Sequence, residues 1–397
     1  MKTSGIICEY NPFHAGHAYL IEEAKQRADA VICVMSGQFT QRGEAAILDK
    51  FVRAKNAILG GADLVLELPM PFSAASARYF ATAGVTLLNM VGVDLLVFGS
   101  ERGDVSLLSE LADRSLSEDF LKEKANAQPS EGSAAAHFGA LLGDGEKKLS
   151  PNDILGVEYL RAIKAGGLSL DPLAITRVGD GFAEKTLGSS SYPSATAIRR
   201  TLFEETVDSV GGYLPPATLA VLKEAIVRGE SPASLANAER AVLSFFRLAA
   251  PESLLEIAGL GGGLGHRLCA CAKESRSLDE LLASVATKRY TDATLRRAIL
   301  CAMLGVRWED LDRGAVYSTV LAANAKGREI LSSLRKQKLP LLTKPSDAAS
   351  LCESFPEQKD AILRQAEISA RADALYSLCL PQVAEAGKYL REGAVML

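Results

Sequence analysis

The chain is short of several things, and each shortage narrows its class. No stretch near 18 residues is both apolar and free of charge, so no membrane-spanning helix is expected. The amino terminus runs straight into a strand-like segment without a signal-peptide pattern. The seven cysteines, at 8, 33, 269, 271, 301, 352 and 379, contain no CxxC pair. An odd, scattered set argues for a reducing cytoplasm and against a disulfide framework. Net charge is only −4, so the overall balance does not draw the chain to nucleic acid, and any such binding needs a local patch. There is one tryptophan, and there are four histidines, two of which fall three positions apart.

What is present is ordinary globular material: 397 residues, 48% hydrophobic and 23% charged, enough for two domains with a large core. Over the first hundred residues, apolar runs of strand length at 4–8, 30–35, 64–68 and 95–98 alternate with helical spacing at 17–28, 46–59 and 76–90. Regular alternation with unbroken apolar strands predicts an α/β fold, a doubly wound parallel sheet. A further strand is expected at 173–178. From about residue 214 strand-like runs vanish and helical runs continue to the end, which predicts a nucleotide-binding domain at 1–210 and a mostly helical domain at 211–397.

The first strand leads into Asn11 and Pro12, which turn the chain, and then into His14, Gly16 and His17 at the start of a helix. Three apart, the two imidazoles share one side of the first turn. A helix amino terminus presents free N–H groups and a positive dipole end, which suits phosphate. Two imidazoles beside it can donate to phosphate oxygens and spread the charge of a pentacoordinate transition state. The pair therefore reads as a site for attack on the α-phosphate of a nucleotide. Surface histidines or half a metal site are the plainer alternatives, but no third ligand stands at helical spacing.

Other strand ends add to this edge. The loop Ser36-Gly37-Gln38-Phe39-Thr40-Gln41-Arg42-Gly43 follows the second strand, and Arg42 and Lys50 are placed to reach phosphates. Gly99, after the fourth, permits close approach of an adenine or ribose. Asn152 is either the entry cap of a helix or a ligand contact, and Arg177 stands at another strand end. Ser194, Thr196 and Arg199 open a further helix and form a second anion cradle. Glu101 and Asp153 are the available carboxylates for a metal. In the second half, residues 281–344 hold twelve Lys and Arg against five Asp and Glu, opposite in sign to the whole chain. Lys288, Arg289, Tyr290, Arg296 and Arg297, with Trp308 close by, mix cations with aromatics as RNA-binding surfaces do. Asn324, Lys326, Gly327, Arg328 and the stretch 341–344 are expected to extend the same patch.

The histidine signature resembles that of the HIGH-type nucleotidyltransferases. The match between Ser194, Thr196, Ile198, Arg199 and that superfamily's Ser-Ser-Thr-X-Ile-Arg motif adds to it, although Ala195 replaces the second Ser. The ordered set from Cys8 to His17, 36–43, 98–101, 151–153 and 287–290 resembles, over nearly the whole chain, the bacterial tRNA(Met) cytidine acetate ligase family. The resemblance implies that ATP and acetate form acetyl-adenylate, and that the acetyl group passes to N4 of the wobble cytidine of elongator tRNA(Met). Catalysis is expected from His14 and His17. The ATP site is expected to comprise Ile7, Cys8, Glu9, Tyr10, Asn11, Pro12, Phe13, His14, Ala15, Gly16, His17, Ala18, Tyr19 and Leu20 with Gly99, Asn152 and Arg177, joined by Ser194, Thr196 and Arg199. Mg2+ is expected to accompany ATP. A small-molecule adenylyltransferase and a non-catalytic RNA-binding protein on a nucleotide-binding scaffold remain as alternatives.

Overall fold

The computed structural model describes residues 1–126, 138–139, 142, 149–177, 193–287 and 290–397. Strand and helix alternate from the start: β1 (Thr3–Cys8), α1 (Ala15–Lys25), β2 (Ala30–Ser36), α2 (Lys50–Leu59), β3 (Leu64–Leu68), α3 (Ala77–Met90) and β4 (Leu95–Ser100). Then come α4 (Val105–Leu116), α5 (Glu118–Asn126), α6 (Pro151–Gly166), β5 (Asp171–Thr176) and α7 (Ala195–Glu204). α4 and α5 are separate helices because Ser117 takes an extended backbone (ψ 147°) between them.

The strands lie in the order β5-β4-β1-β2-β3, all parallel. Every residue of β2 and β3 is buried, Glu67 included, which is why these strands read as nearly continuous apolar runs: helices cover both faces. The chain runs outward from β1 to β3 and then returns to place β4 on the other side of β1. The crevice at the carboxyl ends of β1 and β4 is thus the switch point of the sheet.

The sheet does not end with β3. A strand in the second half, β6 (Ser318–Ala323), pairs antiparallel with β3, and β7 (Leu341–Leu342) and β8 (Val395–Met396) pair with β6. The expectation that strands stop near residue 214 is therefore wrong, and the sheet is mixed. All six residues of β6 are buried. A short apolar run of small residues cannot be told from a buried helical segment by periodicity. Its role is plain from its place: it covers the edge β3 would otherwise expose.

The remainder is mostly helical, including Asp292–Leu304 and the 21-residue helix Lys359–Cys379. The latter is tied to the nucleotide half by the Tyr376 hydroxyl, which donates to Ala46 O at 2.8 Å. Among the described residues no helix is long and apolar enough to cross a membrane.

Candidate active site

β1 ends at Cys8, and the next residues turn sharply: Tyr10 adopts φ 48° and is buried. Asn11 secures the turn by accepting the Ile47 N–H on Oδ1 at 2.8 Å. Phe13 drives into the core beneath Gly60, where a Cβ would lie 2.2 Å from Phe13 Cζ. That plug sets the direction in which α1 leaves.

His14 is the N-cap of α1. Its Nδ1 accepts the Gly16 N–H at 3.1 Å, and His17 Nδ1 accepts the His14 N–H at 3.3 Å. Two imidazoles thus play the reciprocal parts usually taken by Ser or Thr and Glu. Since each Nδ1 is an acceptor, each neutral ring must carry its proton on Nε2, on the side away from the helix backbone. The rings stack with centroids 3.7 Å apart and planes 27° apart, and Tyr10 presents an edge to His17 at 4.9 Å. Burial, followed by the positive charges of Arg177 and Arg199, pushes the His14 pKa down to about 3. Burial, then His14 and Arg177, pushes His17 down as well. Before any anion arrives, the site holds two neutral N–H donors beside a helix amino terminus and two guanidinium groups.

These groups open onto one cavity. From the first turn region its wall takes Ile7, Cys8, Glu9, Tyr10, Asn11, His14, Gly16, His17, Tyr19 and Leu20. Gly99, Asn152, Arg177, Ser194, Thr196 and Arg199 complete the set that the sequence singles out. Pro12, Phe13, Ala15 and Ala18 do not line it; they form the turn, the plug and other positions of α1. Ser194 caps α7, accepting the Ala197 N–H at 3.1 Å. Arg199 binds Asn11 O at 2.8 Å and Glu44 Oε2 at 3.0 Å, joining α7 to the turn. Asn152 does not cap its helix, since Ser150 does; its amide donates to Glu101 Oε1 at 2.6 Å. Phe80, Leu155 and Tyr159 also line the cavity. Sequence reasoning missed them because apolar residues at helical spacing look like core.

Lys50 is a correction. Its side chain is 1% exposed and bonds Glu67 at 3.0 Å and Asp373 at 3.1 Å, away from the cavity. Of the expected metal contacts, Asp153 is buried and accepts from Ser100 and Ser150. Glu101 accepts from Ser150 and Asn152 and lies 3.6 Å from Arg177. Both carboxylates are engaged, and among the described residues no three His, Cys, Asp or Glu gather as a metal site.

The basic patch divides. Lys288 and Arg289 lie outside the described residues. Tyr290 is half-buried ahead of the Asp292–Leu304 helix, and Arg296 pairs with Asp292 at 3.1 Å. Arg297 is half-buried and donates to Gln41 O at 3.1 Å, so it is not a free surface cation. Trp308 is 51% exposed. The expected extension through 324–328 fails: Asn324 bonds Asp63, Lys326 bonds Asp29 O and Arg328 bonds Leu397 O. Gly327 sits against the Asp63 carbonyl. Asp29 and Asp63 precede β2 and β3, so this group lies at the amino edge of the sheet, opposite the cavity.

The model of the HIGH Nucleotidyl Transferase family matches residues 1–389. A tRNA(Met) cytidine acetate ligase of Acetivibrio thermocellus is 34% identical over 422 residues, covering all of both chains. That of Caldicellulosiruptor saccharolyticus is 36% identical, covering 98% of this chain and 96% of the relative. The crystal structure of Thermotoga maritima TmcAL bound with alpha-thio ATP superposes with a TM-score of 0.89 at 32% identity over the whole of both chains. Paired imidazoles at the switch point, the mixed sheet and full-length similarity agree, and the chain belongs to the tRNA(Met) cytidine acetate ligase family of HIGH nucleotidyltransferases.

Proposed function

We propose that the cavity binds ATP and acetate, forms acetyl-adenylate, and passes the acetyl group to N4 of the wobble cytidine of elongator tRNA(Met). The observation that carries this reading is the histidine pair: two neutral Nε2–H donors, His14 buried and His17 half-buried, fixed at the amino terminus of α1. An acetate oxygen attacks the α-phosphorus, the bond to the bridging oxygen breaks, and pyrophosphate leaves. His14 and His17 donate to the non-bridging oxygens as charge builds there, with Arg177 and Arg199 supplying positive potential. The cytidine amine then attacks the acetyl carbonyl, AMP leaves with the carboxylate oxygen, and the amine loses one proton. No protein nucleophile is required. Mg2+ would travel on the nucleotide's own phosphates. In this reading residues 1–210 bind ATP and 211–397 carry the RNA surface, with Lys288, Arg289, Tyr290 and Arg296 on it, and the protein works in the cytoplasm.

The test is incubation with ATP, labelled acetate and bulk bacterial tRNA, followed by nucleoside analysis. Label in N4-acetylcytidine, lost in the His17→Ala protein, is the expected result. Consumption of ATP without label in RNA would overturn the acceptor, and no ATP turnover under any acetate or tRNA condition would overturn the whole reading.

A further inference from the structure

The segment after β2 forms a small hairpin, with Phe39 bridged to Ala45 and the Thr40 N–H donating to Glu44 O at 3.0 Å. Its tip carries Gln41 and Arg42, both in the cavity wall. The Gln41 backbone is held from two directions. Its N–H donates to Glu9 Oε1 at 2.8 Å, on the β1 side. Its carbonyl accepts from Arg297 Nη1 at 3.1 Å, from a helix 256 residues further along the chain. The Arg297 guanidinium is itself braced by Thr294 Oγ1 at 3.3 Å.

Gly43 shows how closely the tip lies on that helix. It adopts φ 74°, and a Cβ there would come within 2.7 Å of Arg297 N and 2.8 Å of the Arg296 carbonyl carbon. Backbone meets backbone here, with the Arg296 Cβ also 2.8 Å from that position. The Arg297 bond is charge-assisted and donated to a peptide oxygen, so it fixes a peptide plane as well as a position.

We propose that Arg297 is a positioning residue for the nucleotide cavity: it sets the Gln41 peptide and, through it, the direction of Arg42. Adenylation then depends on a residue of the C-terminal half that does not touch RNA. This rests on the reading that the cavity holds ATP.

Five proteins test it: wild type, Arg297→Gln, Arg42→Ala, the double variant and, as the conservative control, Arg297→Lys. ATP affinity is measured by equilibrium dialysis without acetate or RNA, adenylation by acetate-dependent ATP–pyrophosphate exchange, and RNA affinity by filter binding of tRNA(Met). Arg297→Gln should weaken ATP binding and slow exchange about 10-fold, a small part of what a misplaced contact near the chemistry can cost. Arg297→Lys should restore most of that loss, and tRNA affinity should stay within about twofold in both. In the Arg42→Ala background the Arg297→Gln change should add less than about twofold, since the effect runs through Arg42. Unchanged ATP binding and exchange in Arg297→Gln would overturn the proposal. So would equal losses in both backgrounds, which indicate general destabilisation, or weakened tRNA binding with normal exchange, which indicates an RNA contact. Wild-type protein that binds no ATP would instead remove the cavity reading, so the two failures are distinguishable.

Discussion

His17 does two jobs that a single substitution can separate. Its Nδ1 accepts the His14 N–H and so helps cap α1, while its Nε2–H faces away from the helix backbone and is assigned to the transition state. Asparagine places an acceptor oxygen near the Nδ1 position and has nothing at the Nε2 position. His17→Asn should therefore keep the cap and lose the donor. Removing one preorganised donor costs about 10²–10³ in rate, or roughly 2.7–4 kcal/mol. Loss of a helix cap costs about 1 kcal/mol of stability. His17→Asn is expected to unfold within a few tenths of a kcal/mol of wild type in urea, with acetate-dependent ATP–pyrophosphate exchange down about 10²–10³. His17→Gln, whose amide N–H reaches the Nε2 position, should show the converse: about 1 kcal/mol less stability and a substantial part of the rate. A His17→Asn protein exchanging at near-normal rate would refute the assignment of Nε2–H to the transition state. A His17→Asn protein that loses activity and stability together would show that the cap, not the donor, is what the ring supplies.

Further outcomes follow from the same structure. The His14 ring has a pKa near 6.5 when unfolded and about 3 when folded, burial being the main cause. Between those values the unfolded chain takes up a proton that the folded chain refuses, so stability falls as pH drops below 6.5. The slope approaches roughly 1.4 kcal/mol per pH unit for the buried His14, and urea titrations at pH 7, 6 and 5 should show it flattening in His14→Asn. For the same reason kcat/KM for ATP should show no acid limb in the ordinary histidine range. Lys50→Met leaves Glu67 and Asp373 buried without their shared cation, which should cost about 3–5 kcal/mol in urea unfolding. The ATP KM of the protein that remains folded should be unchanged, because Lys50 faces away from the cavity. Replacing Lys288 and Arg289 together by Ala should weaken tRNA(Met) binding and flatten the log–log salt slope by roughly 1.5, leaving exchange without RNA intact. An unchanged slope would remove both residues from the RNA surface.

Much of the nucleotide half was legible because its determinants are local. The strand 64–68 falls where its apolar run predicts, as β3 (Leu64–Leu68), and the buried parallel sheet follows from runs without alternation. The strand, turn and helix that carry His14 and His17 are written within one short segment, and so is the Ser194 cap. The reach of a motif is the reach of its own backbone, so spacing alone suffices there.

What only the tertiary structure decided involves partners distant in sequence. Lys50 and Arg42 look alike in sequence, yet Lys50 is drawn inward by Glu67 and Asp373, the latter 323 residues away, while Arg42 stays in the cavity wall. Arg297 looks like an RNA contact until Gln41 O is found beside it. The run at β6 acquires its meaning from β3, whose edge it covers. Charge in a sequence sets that a cation is present, but the field and hydrogen-bond acceptors around it decide whether it binds phosphate, RNA or a buried carboxylate. Those surroundings come from elements brought together by burial of the common core. The amino-acid sequence by itself thus determined the strand, turn and paired histidines at the end of β1, while packing between the two halves determined which basic residues reach the cavity and which hold the fold.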